Sequence, residues 1–223
     1  MEIGKDTPVG HLAAEHPAAT RVFHRFGIDF CCGGGKSLAA AGAAKGVDAD
    51  VLLEAVRAEL SSAGPDETNW NEAALPDLID HILETYHKPL CEELPRLDAM
   101  TAKVVEVHGD KDARLAEVRA VFGALKAELN SHMQKEEMIL FPMIRQGQGG
   151  SAQGPVSVME HEHDSAGAAL ARMRELTDGF APPEQACNTW RAMFHGLEDL
   201  ERELHQHIHL ENNILFPRAL SGS

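Results

Sequence analysis

The sequence predicts an all-α protein, an up-down four-helix bundle preceded by a small helical N-terminal domain. An internal repeat carries this prediction. The segments 132–142 (HMQKEEMILFP) and 207–217 (HIHLENNILFP) agree at six of eleven positions and stand 75 residues apart. On the preceding predicted helices, His87 and His163 are 76 residues apart. A helical hairpin has therefore been used twice, and two facing hairpins make a four-helix bundle.

Glycine, proline and short polar residues divide the chain into three parts. Residues 1–61 form the predicted small helical domain, residues 62–75 a polar linker, and residues 76–223 the bundle. Start and stop signals place the N-terminal helices at about 8–27, 36–45 and 48–61. The bundle helices are predicted at about 76–99, 112–144, 156–180 and 182–217.

Composition narrows the function classes. The net charge of −15 disfavours a nucleic-acid partner, because a polyanion would be repelled. No apolar run approaches the ~20 residues that span a bilayer. The start of the chain lacks the basic and apolar regions of a signal peptide, so we expect a cytoplasmic protein. The four cysteines form no CxxC pair, which disfavours a zinc ribbon or a thioredoxin-like motif.

Histidine interrupts the apolar stripe of every predicted bundle helix, and glutamate interrupts two of them one turn later. The pattern His-x-x-x-Glu places both side chains on one face, ~6 Å apart along the axis. A buried carboxylate needs a partner, and the basic residues Lys135 and Arg218 fall off the stripes, so a metal is the simplest one. The predicted ligands are four histidines and two glutamates: His87, His132, Glu136, His163, His207 and Glu211.

Six ligands exceed what one structural zinc takes and suit two metals bridged by carboxylates. Imidazole together with carboxylate favours iron, and zinc or manganese less distinctively. We therefore predict two non-haem iron ions that are oxo- and carboxylate-bridged. The histidines are the terminal ligands, and Glu136 and Glu211 are the bridges.

Two further acids lie close to the predicted ligands. Glu128 is one turn before His132, and Glu162 adjoins His163. They are either ordinary surface acids or residues that orient a ligand histidine or relay protons or iron. Pro89, two residues after His87, is expected to kink its helix, because proline lacks a backbone donor.

The remaining histidines and two of the cysteines are predicted to have no part in the site. His205 and His209 flank the apolar stripe, and His81 stays ambiguous. Cys91 and Cys187 are expected in the core. The histidines expected in solvent are His16, His108, His161 and His195.

The two His-x-x-x-Glu pairs, each followed by Ile-Leu-Phe-Pro, together with the two single histidines resemble the hemerythrin-like family. Hemerythrins usually offer five histidines and two carboxylates as ligands, whereas four ligand histidines are predicted here. A loop with Cys31-Cys32-Gly-Gly ahead of the bundle is a second signature. Together the two signatures resemble the repair-of-iron-centres family over nearly the whole chain.

This resemblance implies a function, a cofactor and partners. It implies repair of iron–sulfur clusters damaged by nitric oxide or peroxide, with iron supplied from a labile di-iron centre. Damaged iron–sulfur proteins are the implied macromolecular partners, and nitric oxide or O₂ is the implied small ligand. A homodimer is compatible with this reading.

Cys31 and Cys32 lie in a Gly-rich loop just ahead of a predicted helix N-terminus, where amides and the helix dipole would favour thiolate. Thiolates bind iron or are oxidised, so we expect these two to act in iron or electron transfer. Inert loop thiols are the alternative.

Three function hypotheses stay open at this point. The first is a cytoplasmic stress-response protein that donates iron to damaged clusters. The second is a sensor or carrier that binds O₂ or nitric oxide and keeps its metal. The third is an oxidoreductase that reduces nitric oxide at the di-iron centre. The Cys31-Cys32 loop favours the first, since a pure carrier has no need of it.

Overall fold

The computed structural model describes residues 3–62 and 68–222. Regular secondary structure within those ranges is helical, and an isolated antiparallel bridge pairs Pro8 with Ser37. The predicted all-α class is confirmed. None of the helices in these ranges combines the length and the apolar character that crossing a membrane requires.

The N-terminal part folds into four short helices: α1 (Val9–Glu15), α2 (Ala19–Phe26), α3 (Leu38–Ala44) and α4 (Ala49–Ser62). The prediction of one helix over residues 8–27 is wrong, because the chain breaks at His16-Pro17. A residue that precedes proline avoids the helical region, and His16 has φ −137° and ψ 81°. Gly27 ends α2 in the left-handed conformation, with φ 63°.

The four short helices share an apolar core, whose fully buried members include Val9, Val22, Phe23, Leu38, Leu52 and Val56. Phe30, the residue before the two cysteines, is 1% exposed and belongs to this core. Its ring centroid lies 5.7 Å from that of Phe23. The core therefore anchors the start of the cysteine loop.

Four long helical segments follow. The first consists of α5 (Leu75–Ile82), a π turn (Leu83–His87) and α6 (Lys88–His108). The second consists of α7 (Arg114–Lys135), a π turn (Glu136–Leu140) and α8 (Phe141–Arg145), and a 3₁₀ turn (Gly149–Ser151) follows it. The third is α9 (Gln153–Leu176), and the fourth consists of α10 (Asn188–Leu210), a π turn (Glu211–Leu215) and α11 (Phe216–Ser221).

Two predicted ends of these segments are wrong. The first segment continues to His108 rather than ending near residue 99, since residues 100–108 contain neither glycine nor proline. The fourth begins at Asn188 rather than at Pro182. There the chain reverses through residues 178–180, all at positive φ. The Arg191 guanidinium then bonds to the carbonyls of residues 183, 184 and 186 and holds them in a loop.

Each π turn is followed, two residues later, by a proline: Pro89, Pro142 and Pro217. Proline lacks an N–H, and its ring meets the carbonyl four residues earlier in an ordinary helix. In all three turns the residue before the proline bonds to the carbonyl five residues back: Lys88 to Leu83, Phe141 to Glu136 and Phe216 to Glu211. The wider turn lets the helix continue through the proline. Each turn also contains one predicted ligand, and such bulges are frequent at functional sites.

The chain forms two compact units. The first comprises residues 1–80, 144–153 and 205–223, and the second comprises residues 81–143 and 154–204. The end of α10 and its π turn therefore belong with the N-terminal helices. Residues 63–67 of the predicted linker lie outside the described residues. In the part that is described, Asn71 donates to the Ala14 carbonyl (2.7 Å), and Arg218 donates to the Trp70 carbonyl (2.7 Å).

Asn213, in the last π turn, packs against two glycines of the first unit. A Cβ on Gly10 would lie 2.3 Å from Asn213 Oδ1 and 2.8 Å from the Cα of Gly34. A Cβ on Gly34 would lie 2.5 Å from the same oxygen. Both positions therefore need glycine for a close approach rather than for backbone conformation.

Gly10→Ala is expected to destabilise the protein by about 1–3 kcal/mol through this overpacking. Helix propensity alone would favour alanine by up to about 1 kcal/mol. Gly123→Ala is the matched control, because Gly123 lies inside α7 with nothing within 4 Å of its would-be Cβ. It should stabilise the protein. Urea unfolding free energies measure both changes, and shifts of the same sign would contradict the packing described.

Candidate metal centre

All six predicted ligands are buried, with 3% or less of each residue exposed. His87 ends the first π turn and Glu136 begins the second, while His132 and His163 lie on α7 and α9. These four belong to the second unit. His207, on α10, and Glu211, at the start of the third π turn, belong to the first.

Within the second unit, His132, Glu136 and His163 each offer a ligand atom, and these atoms lie within 4.8 Å of one another. The two Nε2 atoms of His132 and His163 are 3.1 Å apart. Two nitrogen donors ~2.0–2.1 Å from one metal, at angles between octahedral and tetrahedral, stand ~2.8–3.4 Å apart. The separation therefore suits two imidazoles that share one ion.

The Glu136 carboxylate is the decisive group. It is fully buried, and neither oxygen has a hydrogen-bond partner among the described residues. Nε2 of His87 and Nε2 of His132 each lie 3.3 Å from Glu136 Oε2. A buried carboxylate without hydrogen bonds is costly unless a cation compensates it. A metal held between the carboxylate and the two imidazoles would remove that cost, so these residues fit a metal.

The first unit contains the second His-x-x-x-Glu pair, His207 and Glu211. Nε2 of His207 and Oε1 of Glu211 are 2.9 Å apart, one helical turn from each other. Glu211, like Glu136, is fully buried. Because both glutamates begin a π turn, the repeat in the sequence is also a repeat of local structure.

Carboxylates behind two histidines orient the rings. Nδ1 of His87 lies 2.9 Å from Glu137 Oε1, and Nδ1 of His132 lies 3.0 Å from Glu162 Oε2. A proton on each Nδ1, donated to the carboxylate, leaves Nε2 with its lone pair facing the metal side. Each contact therefore fixes both the tautomer and the direction of the ring.

Glu162 is held in its charged form. Burial would raise its pKa, but the hydrogen bonds from Lys135 and His132 outweigh burial and lower it. Glu128, by contrast, is exposed, and it accepts a hydrogen bond from Ser165 Oγ at 3.0 Å. The sequence pattern gives no ground for distinguishing Glu128 from Glu162, and it does not single out Glu137. Its adjacency to Glu136 was the available signal, and the two neighbouring carboxylates lie beside opposite nitrogens of the same His87 ring.

Two histidines predicted to be ordinary solvated or flanking residues are buried. His108 is 8% exposed, stacks near Trp190, and has its Nε2 3.2 Å from the sulfur of Cys187. His209 is 2% exposed, and burial lowers its pKa to about 4, so the ring is neutral. Conversely, Cys91 and Cys187, predicted in the core, are exposed. His108 ends α6 and Cys187 precedes the first residue of α10, so the periodicity of a helix interior does not determine their burial.

The prediction of a thiolate-favouring helix N-terminus at Cys31 is wrong. Helix α3 begins only at Leu38, and its first turn is capped by Ser37. The backbone amides of Cys31 and Cys32 instead donate to Asp29 Oδ1, at 3.2 and 3.0 Å. A hydrogen bond with Cys32, burial, and the negative charges of Cys32 and Asp29 raise the pKa of the Cys31 thiol well above its usual range.

The cysteine loop bonds to the π turn that begins with Glu211. Nδ2 of Asn213 donates to the Cys31 carbonyl at 3.1 Å and lies 3.1 Å from Nδ1 of His209. The His209 ring packs edge-on against Phe30, with centroids 5.4 Å apart. Within the first unit, two residues that flank a predicted ligand therefore hold the segment that carries the thiols.

Comparison with known proteins identifies two domains in the chain. The hemerythrin HHE cation binding domain matches residues 78–219, which contain all six predicted ligands. A domain of unknown function, DUF542 (ScdA_N), matches residues 5–60.

Two relatives match the chain over nearly all of its length, across both of these domains. The chain is 47% identical over 218 residues to the iron-sulfur cluster repair protein YtfE of Escherichia coli O81 (strain ED1a), and the match covers 98% of each chain. The protein of the same name from Escherichia fergusonii matches equally, at 47% over 98% of both chains. The chain therefore belongs to the hemerythrin-like family of iron–sulfur cluster repair proteins, in which an ScdA_N domain precedes a hemerythrin HHE cation-binding domain.

Proposed function

We propose that this protein repairs iron–sulfur clusters damaged by nitric oxide or oxidative stress, and that it does so by donating iron from a non-haem di-iron centre. The observation that carries the proposal is the likeness, over 98% of both chains, to proteins named as iron-sulfur cluster repair proteins. Because the match includes the N-terminal domain, it extends beyond a shared metal-binding bundle.

In this proposal two irons take all six buried ligands. His132 and His163 serve one iron, His87 and His207 serve the other, and Glu136 and Glu211 bridge both. The 3.1 Å separation of the His132 and His163 Nε2 atoms and the unbonded, buried Glu136 carboxylate support this ligand set. Mixed imidazole and carboxylate donors suit ferrous iron.

The same set of ligands also suits release of iron from the centre. Each iron would receive four protein donors, fewer than the six that octahedral coordination takes. Two ferrous ions carry four positive charges, whereas the two bridging carboxylates supply two negative ones. Both features would weaken the binding of the ferrous ions, so the ions could leave the centre. Glu137 and Glu162 keep the His87 and His132 rings in place while the ions exchange.

Cys31 and Cys32 are proposed to act in iron or electron transfer between the centre and the damaged target. Their loop is bonded through Asn213 to the π turn of Glu211, which supports a link between thiols and ligands. We place this activity in the cytoplasm, with damaged iron–sulfur proteins as partners.

Glu136→Gln and Glu211→Gln are expected to lose most of the bound iron, because an amide cannot supply the bridging charge. Glu162→Gln should retain the ligands but lower iron affinity by ~10–100-fold, the usual effect of removing a partner behind a ligand. Glu128→Gln is the matched control and should bind like the parent, since its partner is Ser165. Elemental analysis and competition with an iron chelator measure these changes. Full iron content in both bridge variants would refute the ligand assignment.

Repair itself is tested with ⁵⁷Fe-loaded protein and a cluster enzyme damaged by nitric oxide. We expect ⁵⁷Fe in the rebuilt cluster and recovery of the enzyme's activity. Cys31→Ala/Cys32→Ala should keep its iron but repair more slowly, whereas Cys91→Ala, at an exposed cysteine, should repair normally.

Recovery of activity without ⁵⁷Fe in the cluster would contradict donation. Nitric oxide consumption with retention of iron would then favour the reductase, and reversible binding alone would favour the carrier.

A further inference from the structure

Asp29, Cys31 and Cys32 form a second cluster of potential ligands in the first unit. Their ligand atoms lie within 4.8 Å of one another. The two sulfurs are 3.9 Å apart, and the Cys31 sulfur lies 3.4 Å from Asp29 Oδ1. The sulfur separation is well beyond the ~2.05 Å of a disulfide bond.

These separations match tetrahedral coordination. Two sulfur ligands ~2.3 Å from a tetrahedral ion stand ~3.8 Å apart, and a sulfur and a carboxylate oxygen at ~2.1 Å stand ~3.6 Å apart. Little movement would therefore bring the three donors onto one ion. Binding would displace the Cys31 proton to solvent, as is usual when a thiol becomes a metal ligand. Two thiolates and a carboxylate then suit a borderline-soft divalent ion such as Fe²⁺, Zn²⁺ or Co²⁺.

We infer that Asp29, Cys31 and Cys32 form a transient binding site for one divalent transition-metal ion, and that this ion is Fe²⁺ in the cell. This inference rests on the proposed function: the three residues would hold iron after it leaves the di-iron centre and before it reaches the damaged cluster. Three protein ligands leave a fourth position open to water or to a target's own ligand.

The loop is built around the Asp29 carboxylate. A Cβ on Gly33 would lie 2.8 Å from Asp29 Oδ2 and 3.1 Å from its Cγ, so only glycine admits the carboxylate at this distance. The amides of Cys31 and Cys32 fix Oδ1 beside the Cys31 sulfur. The site is thus positioned before any ion arrives.

Two further contacts hold the other side of the loop. Asn213 bonds to the Cys31 carbonyl, and a Cβ on Gly34 would collide with Asn213 Oδ1. Exposure then changes across the cluster: Cys31 is buried, Cys32 is half-buried and Asp29 is exposed. An ion could enter or leave on the Asp29 side while Cys31 stays anchored.

Cobalt(II) is the probe, because thiolate ligands give it charge-transfer absorption and a tetrahedral site gives it strong visible bands. Full-length, iron-loaded, reduced protein is titrated anaerobically with Co²⁺, and iron is measured in the same samples. We expect one Co²⁺ per chain, with thiolate-to-cobalt absorption and no loss of iron. Cys187→Ser, at an exposed cysteine outside the cluster, should behave like the parent.

Cys31→Ser and Cys32→Ser should each weaken the absorption, and Asp29→Asn should lower Co²⁺ affinity by at least ~10-fold, since even partners behind a ligand cost that much. Circular dichroism and iron content check that each variant is folded. Cys32→Ser remains informative if Cys31→Ser unfolds, because Cys32 is only half-buried.

Absence of thiolate–cobalt absorption in the parent, or unchanged Co²⁺ affinity in Asp29→Asn, would overturn the site. Cobalt binding here without ⁵⁷Fe donation would leave the site standing and refute the repair proposal, and repair without cobalt binding would do the reverse.

Discussion

The burial of the Glu136 carboxylate is the constraint on which the rest of the metal centre depends. This group is fully enclosed, and its oxygens accept no hydrogen bond from the described residues. Such a charge is tolerated only beside a compensating cation. Three features of the structure help to meet this requirement. The π turn directs Glu136 inward, two imidazoles lie 3.3 Å from its carboxylate, and further carboxylates orient those imidazoles.

The two repeated hairpins have kept their ligands and diverged in what surrounds them. The position two residues after the glutamate is Met138 in the first repeat and Asn213 in the second. Met138 is 77% exposed, whereas Asn213 bonds to the cysteine loop and packs against Gly10 and Gly34. The duplication thus explains the matched ligand pairs, and the divergence places Asn213, which bonds to the cysteine loop, two residues after the second glutamate.

Periodicity predicted the helices and the six buried positions well, because the stripe and the repeat are strong, redundant signals. Helix ends were harder: His16-Pro17 breaks a helix, and residues 178–187 form a loop where a proline start was expected. Glu137 and Asp29 were not predicted, because their roles depend on the direction in which their side chains point. A π turn sets that direction for Glu137, and a loop sets it for Asp29. The raised pKa of the Cys31 thiol also needed the structure, since a hydrogen bond with Cys32, burial and the nearby Asp29 carboxylate, not a helix dipole, set its surroundings.

Diffraction at the iron absorption edge, from crystals of the iron-loaded protein, would show whether two irons share the carboxylates of Glu136 and Glu211. We expect two anomalous peaks per chain, one beside His132 and His163 and the other beside His87 and His207, with both carboxylates in contact with both ions. A single peak, or two peaks that leave Glu136 without a metal contact, would contradict this expectation.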